Sequence, residues 1–267
     1  MDMQPSPADN SYNQFVSNIG RKVLDFIDRV GKLSFLVWQV IKTLRWIYRD
    51  RKLYFRQAME IGVMSLPLVL LIGAFTGAVS TWQTNYTAGD LLPLKYLGMA
   101  TFKAVIIELG PVLSGLVLAG RVGSSLSAEL ATMRISEQVD ALEVLAVDPI
   151  RYLVSPRMIA AIIMVPVLVT LAVFTAMWGG FLVANLFMGV GFDLYFGEIP
   201  VFFKMKDVYV MLAKSATFGG IIALTGTYVG MNAKGGAEGV GKATIRSFVY
   251  SALGILVMDY FLVVILF

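Results

Sequence analysis

Apolar residues gather into long runs along this chain, separated by shorter polar or charged stretches. A helix needs about 20 mostly apolar residues to cross a bilayer, and five stretches qualify: residues 61–80, 98–120, 158–192, 208–231 and 248–267. The first is uncharged but contains Gly62, Pro67, Gly73 and Gly77. The second carries Glu108 and Pro111, the fourth Lys214 and the fifth Asp259. The third spans 35 residues, more than one straight crossing needs, so the pattern predicts a tilted helix plus an interfacial extension.

Upstream, residues 21–56 hold ten Lys and Arg. Leu33, Val37, Val40, Ile41, Leu44 and Ile47 recur at helical spacing among them. With Trp38, Trp46 and Tyr48 nearby, the pattern favours an amphipathic helix in the headgroup plane over a plain solvated one. Residues 1–20 form a polar tail without the apolar core of a secretory leader. The expected organisation is therefore a tail (1–20), an interfacial helix (21–56) and a transmembrane domain (57–267) in an all-α integral membrane protein.

Composition agrees. Of 267 residues, 57% are hydrophobic and 15% charged, an apolar excess that one soluble core would not hide. Inside lipid every backbone polar group must find a partner within the protein, which selects helices. Cys and His are absent, so disulfides, thiol nucleophiles, Cys/His zinc sites and histidine bases are excluded. No metal or cofactor is expected. The net charge of +4 could suggest nucleic acid, but the positive residues cluster beside the apolar runs. With five crossings, one side receives 17 Lys and Arg and the other 4. Basic loops stay in the cytoplasm, so the N-terminus is expected inside and the C-terminus outside.

A charge near the bilayer centre costs about 2.5–3.5 kcal/mol on insertion scales, so such residues face a cavity or a partner. Glu108, Lys214 and Asp259 are accordingly candidates for a substrate cavity. A structural ion pair between helices, such as Glu108 with Lys214, is the plain alternative. Glycine pairs four residues apart, Gly73/Gly77 and Gly226/Gly230, allow close helix approach.

Residues 121–157 contain Glu129, Arg134, Glu137, Asp140, Glu143 and Asp148. Ser136 is a plausible N-cap, after which Val139, Leu142 and Ala146 share a face with Ile135, and Pro149 ends the pattern. This short amphipathic helix could lie against its own bundle or dock into another protein. Residues 236–242 have the spacing of a phosphate-binding loop, G-x-x-x-x-G-K. Ala243 stands where the magnesium-ligating hydroxyl belongs, and no βαβ unit surrounds the motif. The chain is therefore not expected to hydrolyse ATP itself.

Glu108-Leu109-Gly110-Pro111-Val112 is followed by Ala119-Gly120-Arg121-Val122-Gly123, then Ala128-Glu129-Leu130, Thr132-Met133 and Glu137-Gln138. Ala141-Leu142-Glu143, Asp148-Pro149 and Ser155-Pro156-Arg157 close the run. This set resembles the MlaE (YrbE) permease family of ABC lipid transporters, from about Leu53 to the C-terminus. The resemblance implies a non-enzymatic inner-membrane permease that works as a homodimer. It implies a cytoplasmic ATPase, an MCE-domain protein on the outer side, and phospholipids or related lipids as cargo. It places Glu129, Glu137, Asp140, Glu143 and Asp148 in the region that couples the permease to its ATPase. It is compatible with a re-entrant or broken first segment at Pro67. One departure stands out: many phospholipid-transporting relatives have Arg before the Glu of the E-L-G-P motif, and here that residue is Ile107. Two rivals compete with this reading: a non-transporting membrane anchor for the MCE assembly that the resemblance implies, and an ion-coupled secondary transporter using the three in-span charges.

Overall fold

The computed structural model describes residues 31–89 and 93–267, together with Arg21, Leu24, Ile27 and Asp28. The polar tail proposed for residues 1–20 lies outside the described residues. The chain divides into two units, residues 1–45 and 46–267. In the first, residues 31–43 are helical, with Phe35, Trp38 and Ile41 exposed in a row and Lys42 stacked 5.4 Å from the Trp38 ring. A short 3-10 turn, Leu44–Trp46, follows. Arg51–Arg56 belong to the first long helix of the second unit.

Among the described residues there are no strands, and five helices are long and apolar enough to cross a membrane. They are α1 (Arg51–Ala88), α2 (Leu94–Ile135), α4 (Ile150–Met188), α7 (Met205–Met231) and α8 (Gly236–Leu266). Short helices lie between them: α3 (Gln138–Val144) before α4, and α5 (Phe192–Phe196) and α6 (Ile199–Phe202) before α7. A helix of 38 residues is about 57 Å long, so α1 projects well past a hydrocarbon core of about 30 Å.

Two expectations change. The first apolar segment is neither re-entrant nor broken: α1 runs unbroken through Pro67. The third is one helix rather than a helix plus an extension, ending at Gly189, whose left-handed φ of +66° is most easily adopted by a residue without Cβ. Both helices hold because they pack tightly on each other. A Cβ on Gly77 would sit 1.7 Å from the Ala176 carbonyl oxygen, and one on Gly73 would sit 2.4 Å from that of Ala172. Gly226 and Gly230 play the same part for α7 on α2, where a Cβ on Gly230 would meet Ser127 O at 2.9 Å. Without a hydrophobic drive between helices in lipid, this close backbone approach supplies the packing.

At the end of the bundle between α4 and α7, Tyr195 of α5 is fully buried. Its hydroxyl lies 3.0 Å from Thr81 of α1, which in turn contacts Thr101 of α2 at 3.2 Å. Burial pushes the Tyr195 phenol up from its usual pKa, so it stays neutral. Phe181 and Phe196 pack against it, and Phe192 packs against both of them. The α7–α8 turn uses Gly235 and Gly236 at φ of +96° and +65°. The G-x-x-x-x-G-K sequence that follows is the first two turns of α8, where Lys242 pairs with Glu238 at 2.5 Å. A helix there presents no phosphate-wrapping loop, in keeping with the sequence argument.

Candidate functional site

Helix α2 is not a uniform α-helix. Val105–Leu109 and Ala119–Gly123 are π-helical segments, and Ile150–Val154 opens α4 in the same way. Two of these end one residue before a Gly-Pro or Ser-Pro pair, Gly110-Pro111 and Ser155-Pro156. Proline brings no N–H, and the wider π turn lets the neighbouring amide reach one residue further back: Gly110 N–H bonds Val105 O, and Ser155 N–H bonds Ile150 O. Such bulges re-aim side chains and frequent functional positions.

The first bulge carries Glu108. Its Oε2 accepts a hydrogen bond from Lys214 Nζ of α7 at 2.7 Å. Asp259 Oδ1 of α8 lies 2.6 Å from the same ammonium, near enough for an ion pair though too oblique for a hydrogen bond. Lys214 Nζ also donates to the Ile107 carbonyl at 3.1 Å. The structure thus brings together all three in-span charges singled out from sequence. The ion pair between Glu108 and Lys214 is formed, and Asp259 makes it a triad of two carboxylates around one ammonium. Access is unequal. The Lys214 side chain is 0% exposed and that of Glu108 44%. A molecule approaching the triad therefore meets a carboxylate edge, with the ammonium closed behind it.

The second cluster lies at the α3 end of the bundle. Val139 of α3 is buried against Leu130 and Leu153, with Leu142 and Met231 beside it. Ser136 is not the N-cap: its hydroxyl donates back to Thr132 O, and Glu137 caps the helix in a left-handed conformation at φ +60°. The five carboxylates expected to serve coupling divide into two groups. Glu129 accepts from Arg157 Nη2 at 2.6 Å, Asp140 pairs with Arg134, and Asp148 Oδ1 accepts from the Ile150 amide at 2.9 Å. Glu137 and Glu143 stand exposed. Beside them α3 ends in two exposed apolar side chains, Val144 at 86% and Leu145 at 72%.

The start of α4 is tied to its neighbours three times. Arg151 Nε donates to Asp50 at 2.7 Å and its guanidinium lies 4.6 Å from the Trp46 ring. The Ser155 and Tyr54 hydroxyls are 2.9 Å apart. Arg157, buried, joins Glu129 of α2 and also donates to Leu153 O at 2.7 Å. So both legs of the α2–α3–α4 hairpin are cross-linked directly behind α3. Sequence reasoning missed the Arg157 link and the Ile107 carbonyl. The signal for the latter was present: Ile107 lies four residues before Pro111, the position whose carbonyl a proline leaves without its helical donor.

The family model described as Permease MlaE matches residues 54–265. A Rickettsia felis protein named "Probable ABC transporter permease protein" is 37% identical over 249 residues, covering 91% of this chain and 94% of its own. A Synechocystis protein of the same description is 36% identical over 237 residues, covering 89% and 90%. The Haemophilus influenzae "Intermembrane phospholipid transport system permease protein MlaE" is 32% identical over 254 residues, covering 95% of this chain and 97% of its own.

Proposed function

The chain belongs to the MlaE permease family and is a multi-pass permease of an ABC transporter, and we propose that it moves phospholipid between membranes, driven by a separate ATPase subunit. The phospholipid assignment is supported by the name of the Haemophilus relative, a phospholipid transport permease. Two copies of the chain enclose the lipid path in the inner membrane. ATPase subunits dock on α3 from the cytoplasm, and an MCE-domain protein exchanges lipid on the other side. The α3 end is cytoplasmic because it carries most of the Lys and Arg, and the C-terminus is then periplasmic.

The observation that carries this reading is the continuity of α2. One helix bears Glu108 within the membrane and, 27 residues on, about 40 Å away, hands over to α3. Closure of ATPase subunits under α3 moves α2 and α4 as a braced pair, since the Arg157–Glu129 link joins them. That motion reaches the triad as a rigid-body shift of α2 against α7 and α8. Glu108 is the accessible member and lines the path; Lys214 and Asp259 hold it in place.

The test is lipid transfer between liposomes by the chain purified with its co-expressed neighbours. Transfer that requires ATP supports the assignment, and ATP-independent transfer or none removes it. A cysteine at Glu143 should be shielded from an impermeant thiol reagent in spheroplasts, and one at Phe267 should react; the chain has no native Cys to confuse the assay. A second reading, ion-coupled transport, draws on the excess carboxylate of the triad. It requires transfer that follows a proton or sodium gradient without an ATPase.

A further inference from the structure

We infer that Arg121 forms a second polar station in the membrane, one that takes the phosphate of a phospholipid headgroup; this rests on the phospholipid reading above. Within the long helices, Lys103 touches Asp207, Arg157 touches Glu129, and Lys214 touches both Glu108 and Asp259. Arg121 differs. Its guanidinium donates from Nη1 to Ser65 Oγ of α1 at 2.6 Å, and among the described residues no carboxylate lies within ion-pair distance of it. Ser65 offers no compensating charge, and its own proton is committed to the Ile61 carbonyl at 2.6 Å.

The meeting point is inside the span. Ser65 lies five residues, about 7.5 Å, beyond Glu60, and α1 has no charged residue from there to its end at Ala88. A guanidinium presents five N–H donors in a planar fork. One is used by Ser65, and the side chain is only half-buried, so the others remain available. The π turn Ala119–Gly123 sets the direction of this side chain, as the first π turn does for Glu108. An uncompensated cation at this depth calls for an anion that arrives with its own apolar body. A phosphodiester on acyl chains meets both requirements, and the fork matches its oxygens two at a time. Glu108 repels the same phosphate. The path thus holds an attractive station at Arg121 and a carboxylate edge 13 residues along the same helix.

The experiment is equilibrium photolabelling of the full chain in nanodiscs without ATP. The probes are a phosphatidylethanolamine and a diacylglycerol with the same acyl chains, each carrying its photoreactive group at the glycerol end. The wild-type protein should capture the phospholipid preferentially, and the labelled peptides should include those bearing Ser65 or Arg121. Arg121→Gln should lower phospholipid capture about tenfold while diacylglycerol capture changes less than about twofold. Arg121→Lys should retain part of the preference, and Ser65→Ala should retain most of it. Capture that survives millimolar inorganic phosphate assigns the site to a lipid; its abolition by phosphate overturns that assignment. Equal loss of both probes in Arg121→Gln, or wild-type labels confined to other peptides, also overturns it. The label map needs no variant, so a misfolded substitution does not decide the matter. Because ATP is omitted, failure of driven transfer and failure of this site are read separately.

Discussion

Lys214 donates to the carbonyl of Ile107, the carbonyl that Pro111, four residues on, leaves without its helical donor. A buried amine, a proline and a π turn are therefore one device. The proline opens an acceptor inside the membrane and the lysine fills it, which fixes the ammonium between Glu108 and Asp259. Pro111→Ala restores an N–H that competes for the same oxygen. The expected outcome is a protein at least as stable as wild type by thermal unfolding, since proline within a helix costs about 3 kcal/mol, with transfer slowed severalfold. A variant that is both less stable and fully active would contradict the device.

The triad predicts an order among substitutions. Lys214→Leu leaves two carboxylates and an orphaned carbonyl facing one another, and should cost about 3–5 kcal/mol, as expected when one partner of a buried pair is removed. A double change of Glu108 and Lys214 to leucine, which the sequence alone would recommend, still strands Asp259, itself almost buried. The informative variant is the triple one, Glu108→Gln with Lys214→Met and Asp259→Asn. It should fold, assemble and yet lose transfer if Glu108 acts on cargo. Wild-type transfer by a well-assembled triple variant would reduce the triad to a structural brace.

The five crossings were legible because the apolar runs have no other solvent than lipid. Glu108 and Lys214 were pairable from sequence for a related reason: charges in such runs have few possible partners. Asp259 was legible as a cavity candidate beside them but not as a partner of Lys214, since its distance from the chain end says nothing of which helix it faces. Helix ends were hidden too. Past its apolar run α2 continues through Arg121, Glu129 and Arg134 to Ile135, where composition no longer marks helix from loop. That is why Arg121 read as a loop residue and why Glu129 read as a docking carboxylate rather than the partner of Arg157. The π turns arise from packing and prolines together, and no periodicity announces them.

The exposed end of α3 makes a prediction about ATPase binding. Val144 and Leu145 are the apolar tip, flanked by Glu137 and Glu143, while Asp140 is engaged by Arg134. Apolar anchors at the centre of an interface carry most of the affinity, and rim charges set the approach rate. Changing Val144 and Leu145 together to serine should weaken co-purification with the ATPase about tenfold or more. Reversing Glu137 and Glu143 should instead mainly alter its salt dependence. Insertion should be normal in both, because α3 is not one of the spans. The opposite ranking would return the docking role to the carboxylates.

Arg157 and Glu129 form the last link, and their unequal exposure gives it a signature. The Arg157 side chain is 5% exposed and that of Glu129 44%. Removing Glu129 strands a buried guanidinium, whose Nε already lacks a partner. Removing Arg157 strands a carboxylate that water can reach. Glu129→Leu should therefore destabilise by about 3–5 kcal/mol and Arg157→Leu by less, although the arginine is the larger side chain. Transport should separate them from a merely structural effect. Arg157→Leu still leaves α4 tied to α1 through Tyr54 and Asp50, so the fold persists while α2 and α4 lose their direct brace behind α3. ATP hydrolysis should then continue with transfer reduced, a fall in lipid moved per ATP that Arg157→Lys partly restores. If hydrolysis and transfer fall in step, the brace does not transmit the ATPase motion, and the load runs through some other contact of α3.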